Sequence, residues 1–147
     1  MLSIHHTNYE HNPVFSCDEA KWVDVPWKRV KSLLLQNKNK TNFYMIVLPD
    51  YKKLNTNTIR NHFWNTKLSF VSPETMQEKI RVKPWHVSPF ALLNNTDSDI
   101  QVVFDTELQD TEVWFHPWKN DNTVVLYMSW VEQYLEYIWN TYYYINL

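Results

Sequence analysis

Lys31, His116 and the stretch Lys83-Pro84-Trp85-His86-Val87-Ser88-Pro89-Phe90-Ala91-Leu92-Leu93 are the places in this chain where residue type and spacing could do chemistry. In the stretch, Pro84 and Pro89 fix φ five residues apart, and each biases the residue before it towards an extended backbone. A loop braced in this way can hold main-chain N–H groups in fixed directions, which is enough to grip a carbonyl or an anion without a special side chain. It can equally be a plain turn between a helix and a strand. Lys31 stands in Val30-Lys31-Ser32-Leu33-Leu34-Leu35, so on a strand it shares a face with Leu33 and Leu35. A lysine there either snorkels to an edge or serves a site. His116, in Phe115-His116-Pro117, ends an apolar run and enters the polar loop Lys119-Asn120-Asp121-Asn122-Thr123. It could donate to a carbonyl or hydroxyl of a substrate, or bond to backbone as an ordinary loop histidine.

Other chemistries find less support. His5, His6 and His11 have no carboxylate or cysteine at ligand spacing and there is no HExxH, so no metal is expected. The single Cys17 makes neither an internal disulfide nor a cysteine-based metal site. No nucleophile elbow and no glycine-rich phosphate loop can be read. Asp105, Glu107, Asp110 and Glu112 read as a solvated acidic edge. Lys28, Arg29, Lys31, Lys38, Lys40, Lys52, Lys53, Arg60 and Lys67 concentrate in the first half, either as ordinary surface charge or as a track for a phosphate backbone.

The elements that must position these residues are mixed. Residues Ser3 to Asn8 suggest a first edge strand. Ser16-Cys17-Asp18-Glu19 matches a capping box and predicts a short helix that stops before Pro26. Arg29–Gln36 and Asn42–Leu48, joined by the polar Lys38–Thr41, predict a β-hairpin. Asn55–Phe63 reads as a helix, with Ile59 and Phe63 on one face. Lys67–Val71 reads as a short strand. Ser72-Pro73-Glu74 opens a helix to about Ile80. Phe90–Leu93 is expected as a buried strand. Ile100–Asp105, Glu112–Phe115 and Thr123–Met128 follow as strands. Ser129-Trp130-Val131-Glu132 is a second capping box opening a helix to about Ile138, and Tyr142–Ile145 closes the chain as a strand. Without strict β/α alternation, this predicts one α+β domain over residues 1–147, on a mixed, mostly antiparallel sheet of six to seven strands with flanking helices.

At 147 residues, 44% apolar and 20% charged, the chain suits one globular core. The net charge of -2 argues against a generally basic nucleic-acid coat but allows a local basic groove. No apolar run approaches a membrane span, and Met1–Glu10 lack the pattern of a secretory leader, so a cytoplasmic, monomeric protein is expected.

One feature of the composition is abnormal. There is no glycine, where about ten would be usual, and there are eight tryptophans. Pro26-Trp27, Pro84-Trp85 and Pro117-Trp118 stand where turn chemistry favours Pro-Gly. Trp64 and Trp139 each follow a predicted helix and precede an asparagine, where a left-handed glycine belongs. A gene that uses UGA for glycine, translated with a table in which UGA means tryptophan, gives this pattern. The expectation is that several of these tryptophans are glycines in the living protein.

Taken in order, His11-Asn12-Pro13-Val14-Phe15, Val30-Lys31-Ser32-Leu33-Leu34-Leu35, Lys67-Leu68-Ser69-Phe70, Pro84-Trp85-His86-Val87-Ser88-Pro89-Phe90 and Phe115-His116-Pro117 resemble the YbaK-like aminoacyl-tRNA editing domains. That family comprises the insertion domain of bacterial prolyl-tRNA synthetase and its free-standing relatives. The resemblance is nearest to the free-standing deacylases that clear alanine from proline tRNA. It implies hydrolysis of the ester joining a wrong amino acid to the tRNA 3′ end, with no metal or cofactor. The partners implied are tRNA, through its aminoacylated end and acceptor stem, and prolyl-tRNA synthetase. Lys31 matches the family's essential lysine, and His116 the histidine lining its pocket. Pro84, Trp85, His86, Val87, Ser88 and Pro89 match its G-x-x-x-P substrate loop, and Asn94 with Asn95 a polar pair beyond it. Ser32 stands beside the lysine where asparagine is commoner, and is expected to touch substrate. Trp85 replaces the loop's glycine, which read literally would block the site and leave a silent RNA- or partner-binding relative. Cysteine-charged proline tRNA is the alternative substrate. The expectation is that the Lys31 ammonium and the Pro84–Pro89 main chain share one small cavity.

Overall fold

The residues described by the computed structural model are 5–10, 28–64, 67–115 and 122–147. The strands are β1 (Thr7–Glu10), β2 (Lys28–Asn37), β3 (Phe43–Pro49), β4 (Leu68–Phe70), β5 (Ile100–Asp105), β6 (Glu112–Phe115), β7 (Asn122–Tyr127) and β8 (Tyr142–Ile145). The α-helices are α1 (Thr56–Phe63), α2 (Pro73–Ile80) and α3 (Met128–Tyr137), and 3-10 turns span Pro84–His86, Pro89–Asn94 and Thr106–Leu108. The expected helix after Ser16 and the His11–Phe15 motif lie outside the described residues.

The strands form one mixed sheet in the order β1-β7-β6-β2-β3-β5-β8, with β4 also paired to β2. It has eight strands rather than six or seven. The β2–β3 hairpin turns on Asn37, whose Oδ1 accepts from the N–H groups of Thr41 and Asn42. Every residue of β3 is buried, as a central strand covered on both faces must be. One face carries α2, α3 and the Pro89–Asn94 turn, which close on Leu34, Met45, Val47, Val102 and Phe104. The other carries α1, whose fully buried Ile59 packs with Leu35, Ile46, Leu48 and Val103.

Two helix starts are capped by side chains, and of these the Ser72 cap is the predicted one. Asn55 accepts from the N–H of Asn57, and Ser72 from that of Thr75 with Pro73 at the first helical position. The Ser129 capping box does not cap: α3 begins at Met128 behind Tyr127, whose side chain makes no cap bond. The segment expected as a buried strand at Phe90–Leu93 is instead a 3-10 turn, closed by the Ala91 N–H on Ser88 O and the Asn95 N–H on Leu92 O. A short apolar run has no periodicity to separate strand from helix, and Pro89 presets helical φ at its first position.

Six described residues have positive φ, among them Trp64 (56°) and Trp139 (59°). They are 94% and 92% exposed, so neither ring is held by packing. Trp114 is buried in β6, and Trp130 packs against the main core. Trp27 and Trp118 fall outside the described residues.

Candidate functional site

β2 is the seam of the sheet. Lys28 and Arg29 pair in parallel with Val113 and Trp114 of β6, while Leu35, Gln36 and Asn37 pair with β4. Among the described residues, the pairings on that side of β2 stop at Arg29 and resume at Leu34, whose carbonyl accepts from the Val71 N–H. The described part of β6 ends at Phe115, level with Val30 by the same register. Residues 28–33 are all only half-buried, whereas Leu34, Leu35 and Gln36 are buried. Val30–Leu33 is thus the half-buried stretch of β2 between its described β6 and β4 partners.

Strand alternation sorts the residues of this stretch. Val30 and Leu34 belong to the α2/α3 face, so Ser32 between them points to it too. Val87, Phe90 and Phe115 pack on that same face. The rings of Phe90 and Phe115 meet edge to face at 5.7 Å, which brings the proline-braced loop to the end of β6. Tyr134 of α3 fixes the exit of the loop. Its hydroxyl donates to Phe90 O at 2.9 Å, and burial pushes its pKa up to about 12, so it stays a donor. Sequence reasoning missed Tyr134, although its spacing from Val131 on a helical face carried the signal.

Exposure falls along the loop. Pro84 and Trp85 are exposed, His86 and Val87 half-buried, Ser88 and Pro89 buried. Trp85 thus sits at the rim, 46% exposed, and its φ is not positive. Two polar atoms of the loop, His86 Nε2 and Ser88 Oγ, are shielded from solvent and have no hydrogen-bond partner. Ser88 is 1% exposed. Desolvation, with the Lys83 charge behind it, holds the His86 pKa below its ordinary 6.5.

Lys31 is not brought to this loop. It shares the parity of Leu33 and Leu35, which lie on the α1 face. Its ammonium donates to Asp50 O at 3.0 Å and to Lys52 O, at the turn leaving β3. A strand with period two cannot send neighbouring side chains to one face, and two carbonyls supply the acceptors that a half-buried ammonium needs. Among the described residues Lys31 makes no ion pair, whereas Arg29 is paired with Asp50 and Lys52 with Asp105 and Glu107. The Lys31 charge is therefore fixed in place but not neutralised.

Other expected residues have settled roles. Asn94 donates to Ile80 O at 3.1 Å, and Asn95 to Asp99, so this polar pair ties the 3-10 turn to the end of α2. Asp105, expected on a solvated acidic edge, is fully buried. It accepts from Lys52, from the Glu107 N–H and from the Leu147 N–H, and this locks β5 to the C-terminal strand. His116 and Pro117 lie outside the described residues. No group of three or more histidine, cysteine, aspartate or glutamate side chains among the described residues could hold a metal ion. No described helix is long and apolar enough to cross a membrane.

Comparison with known proteins adds the following. The family model of the aminoacyl-tRNA editing domain matches residues 11–131. The chain is 32% identical over 149 residues to the prolyl-tRNA editing protein ProX of Acetoanaerobium sticklandii, an alignment covering 99% of this chain and 91% of that protein. Two solved structures share the fold. One is a hypothetical protein, with a TM-score of 0.71 and 17% identity, covering 94% of this chain and 89% of that one. The other is described as a candidate trans-editing enzyme for prolyl tRNA synthetase, with a TM-score of 0.70 and 15% identity, covering 95% and 85%. At these identities the two structures speak for the fold alone.

Proposed function

Because the chain belongs to the aminoacyl-tRNA editing domain family, we propose that it is a trans-editing hydrolase that deacylates mischarged proline tRNA, with alanine the amino acid removed. The observation that carries this reading is the gathering of Ser32, Val87 and Phe90 of the proline-braced loop, and Phe115 on one face of the sheet. These residues are far apart in sequence and include the family's substrate loop.

In this reading a water attacks the carbonyl carbon of the aminoacyl ester. The bond to the ribose oxygen breaks, the water's proton ends on that oxygen, and free amino acid leaves. The ester is already activated, so the protein has two tasks: to place the water and to stabilise the developing oxyanion. Main-chain N–H groups of the loop serve the oxyanion, and such a donor is worth about 2.7–4 kcal/mol in comparable sites. Phe90, Phe115 and Val87 bound the side-chain pocket. A pocket of this kind discriminates by only ~1–3 kcal/mol per methylene, so larger amino acids are rejected by clash rather than by weaker attraction. His116, which follows Phe115, is assigned to the pocket wall. The un-neutralised Lys31 ammonium is assigned to the tRNA 3′ end, where phosphates are the natural partner for a fixed cation. Asn94 supports the loop from behind.

Cysteine-charged proline tRNA is the alternative substrate for the same chemistry. A second reading, a silent RNA- or partner-binding relative, is favoured by one observation: a large indole at the loop's rim where the family has glycine. Deacylation of alanyl- and cysteinyl-tRNA(Pro) separates the three. The decisive variant is Lys31→Ala. Losing a charge-assisted contact of ~1.5–3 kcal/mol lowers kcat/KM about 10- to 100-fold. The far-UV circular dichroism spectrum should stay unchanged. Undiminished kcat/KM in a folded Lys31→Ala protein refutes the assignment of Lys31.

A further inference from the structure

Ser88 Oγ is one of several buried side-chain polar atoms that the fold leaves without a hydrogen-bond partner among the described residues. Ser88 lies at the bottom of the loop, 1% exposed, between half-buried Val87 and buried Pro89. Its backbone is extended and its carbonyl accepts from the Ala91 N–H, yet its hydroxyl does not cap the 3-10 turn that follows. Oγ has no hydrogen-bond partner. Buried hydroxyls are satisfied as a rule, and an orphan calls for an absent partner. The asparagines nearby show what a purely structural polar residue looks like in this region, since Asn94 and Asn95 both have their amides bonded to α2 or to Asp99.

Resting on the reading above, we propose that the Ser88 hydroxyl is a direct contact for the substrate and accepts a hydrogen bond from the α-amino group of the aminoacyl moiety. Depth selects this end of the substrate. The nucleotide must lie outward, towards exposed Pro84 and Trp85, and the amino acid inward, towards Ser88. An aminoacyl ester presents two polar groups at that depth, the carbonyl and the amine. The carbonyl gathers negative charge and is served by main-chain N–H donors. The amine needs an acceptor, and Ser88 Oγ is an acceptor with nothing else to hold. His86 Nε2 is the second orphan of the loop and stands nearer the rim, on the side of the ribose hydroxyls.

The test uses the full chain and two substrates, proline tRNA charged with alanine and the same tRNA charged with lactate, in which a hydroxyl replaces the amine. Wild type should favour the alanyl ester by about tenfold or more in kcat/KM, as fits a single polar contact. Ser88→Ala should lower kcat/KM on the alanyl ester about 10- to 100-fold and bring the two esters close to parity. Its denaturation midpoint should match or exceed that of wild type, because an unsatisfied buried hydroxyl has been removed. A Ser88→Ala protein that keeps the wild-type preference overturns the proposal, as does a wild type indifferent to the amine, and either result means that Oγ meets at most a buried water. If wild type cleaves neither ester, the editing function itself has failed. If it cleaves both and only the preference survives mutation, the editing function stands and the Ser88 contact alone is lost.

Discussion

Replacing Trp64 and Trp139 with glycine should stabilise this protein, against the usual sense of a tryptophan-to-glycine change. Each residue closes a helix in the left-handed region, Trp64 at φ 56° and ψ 35° after α1 and Trp139 at φ 59° just beyond α3. That conformation costs a residue bearing Cβ roughly 1–2 kcal/mol and costs glycine almost nothing. Against this, glycine loses more backbone freedom on folding, about 0.5–1 kcal/mol. Little packing is lost, because the two rings are 94% and 92% exposed. The net gain is about 0.5–1 kcal/mol per site. The sites are on different helices with no shared partner, so the double variant should gain about 1–2 kcal/mol. With a urea slope of ~1–3 kcal/mol/M, the midpoint rises by about 0.3–2 M at unchanged slope. Trp130→Gly is the contrasting case. It lies within α3 and packs against the core, so the same exchange there must lower the midpoint. An unchanged or lower midpoint in the Trp64→Gly/Trp139→Gly protein would refute the backbone argument. The result also bears on decoding, because a chain without glycine that places two bare indoles at left-handed caps is what a misread glycine codon produces. The intact mass of protein made in its native host counts the indoles directly.

Two further outcomes follow from the loop. His86 has a folded-state pKa held below 6.5 by burial and by Lys83, so protons favour the unfolded chain. Its contribution is therefore neutral above about pH 6.5 and destabilising as the pH falls below that value. His86→Gln should flatten the acid side of a stability–pH curve measured by denaturation from pH 5 to 8, and an unaltered slope would contradict the burial assigned to Nε2. Trp85→Gly should raise deacylation of alanyl-tRNA(Pro) at least tenfold, since it clears the loop's rim. No change would mean that the indole already lies clear of the substrate's path.

Much of the architecture could be read from residue patterns because each element carried a local signal. Asn55 and Ser72 announce helix starts by the hydrogen bonds their side chains make, and the aromatic and β-branched run at Phe43–Pro49 announces a central strand. The 3-10 turn at Pro89–Asn94 gave no such signal. Four apolar residues suit a strand or a turn equally, and the outcome was decided by packing against α2. Asp105 departs from the expected solvated edge for a related reason. Four acids spaced through Asp105–Glu112 look solvated, and only the fold reveals that Lys52, 53 residues earlier, arrives to neutralise one of them.

The placement of Lys31 shows where local reading fails at a site. Strand parity was plain in the sequence: Lys31 travels with Leu33 and Leu35, and Ser32 with Val30 and Leu34. What parity cannot give is which face receives the Pro84–Pro89 loop, because that depends on the route of the chain through α2. The loop lands on the face of Ser32, and Lys31 is left on the other side with its ammonium on the Asp50 and Lys52 carbonyls. A shared cavity is then replaced by a division of labour across the seam of β2. In the proposed function, Ser32, Ser88 and the aromatic pair Phe90 and Phe115 are the residues assigned to the amino acid, on one face. The fixed Lys31 charge lies on the other face and is the group proposed for the tRNA 3′ end. The loss expected for Lys31→Ala should therefore appear mainly in KM for the whole tRNA, and that for Ser88→Ala should depend on the amino acid. Equal sensitivity of both variants to the α-amino group would require both residues to line one cavity, against the parity of the strand.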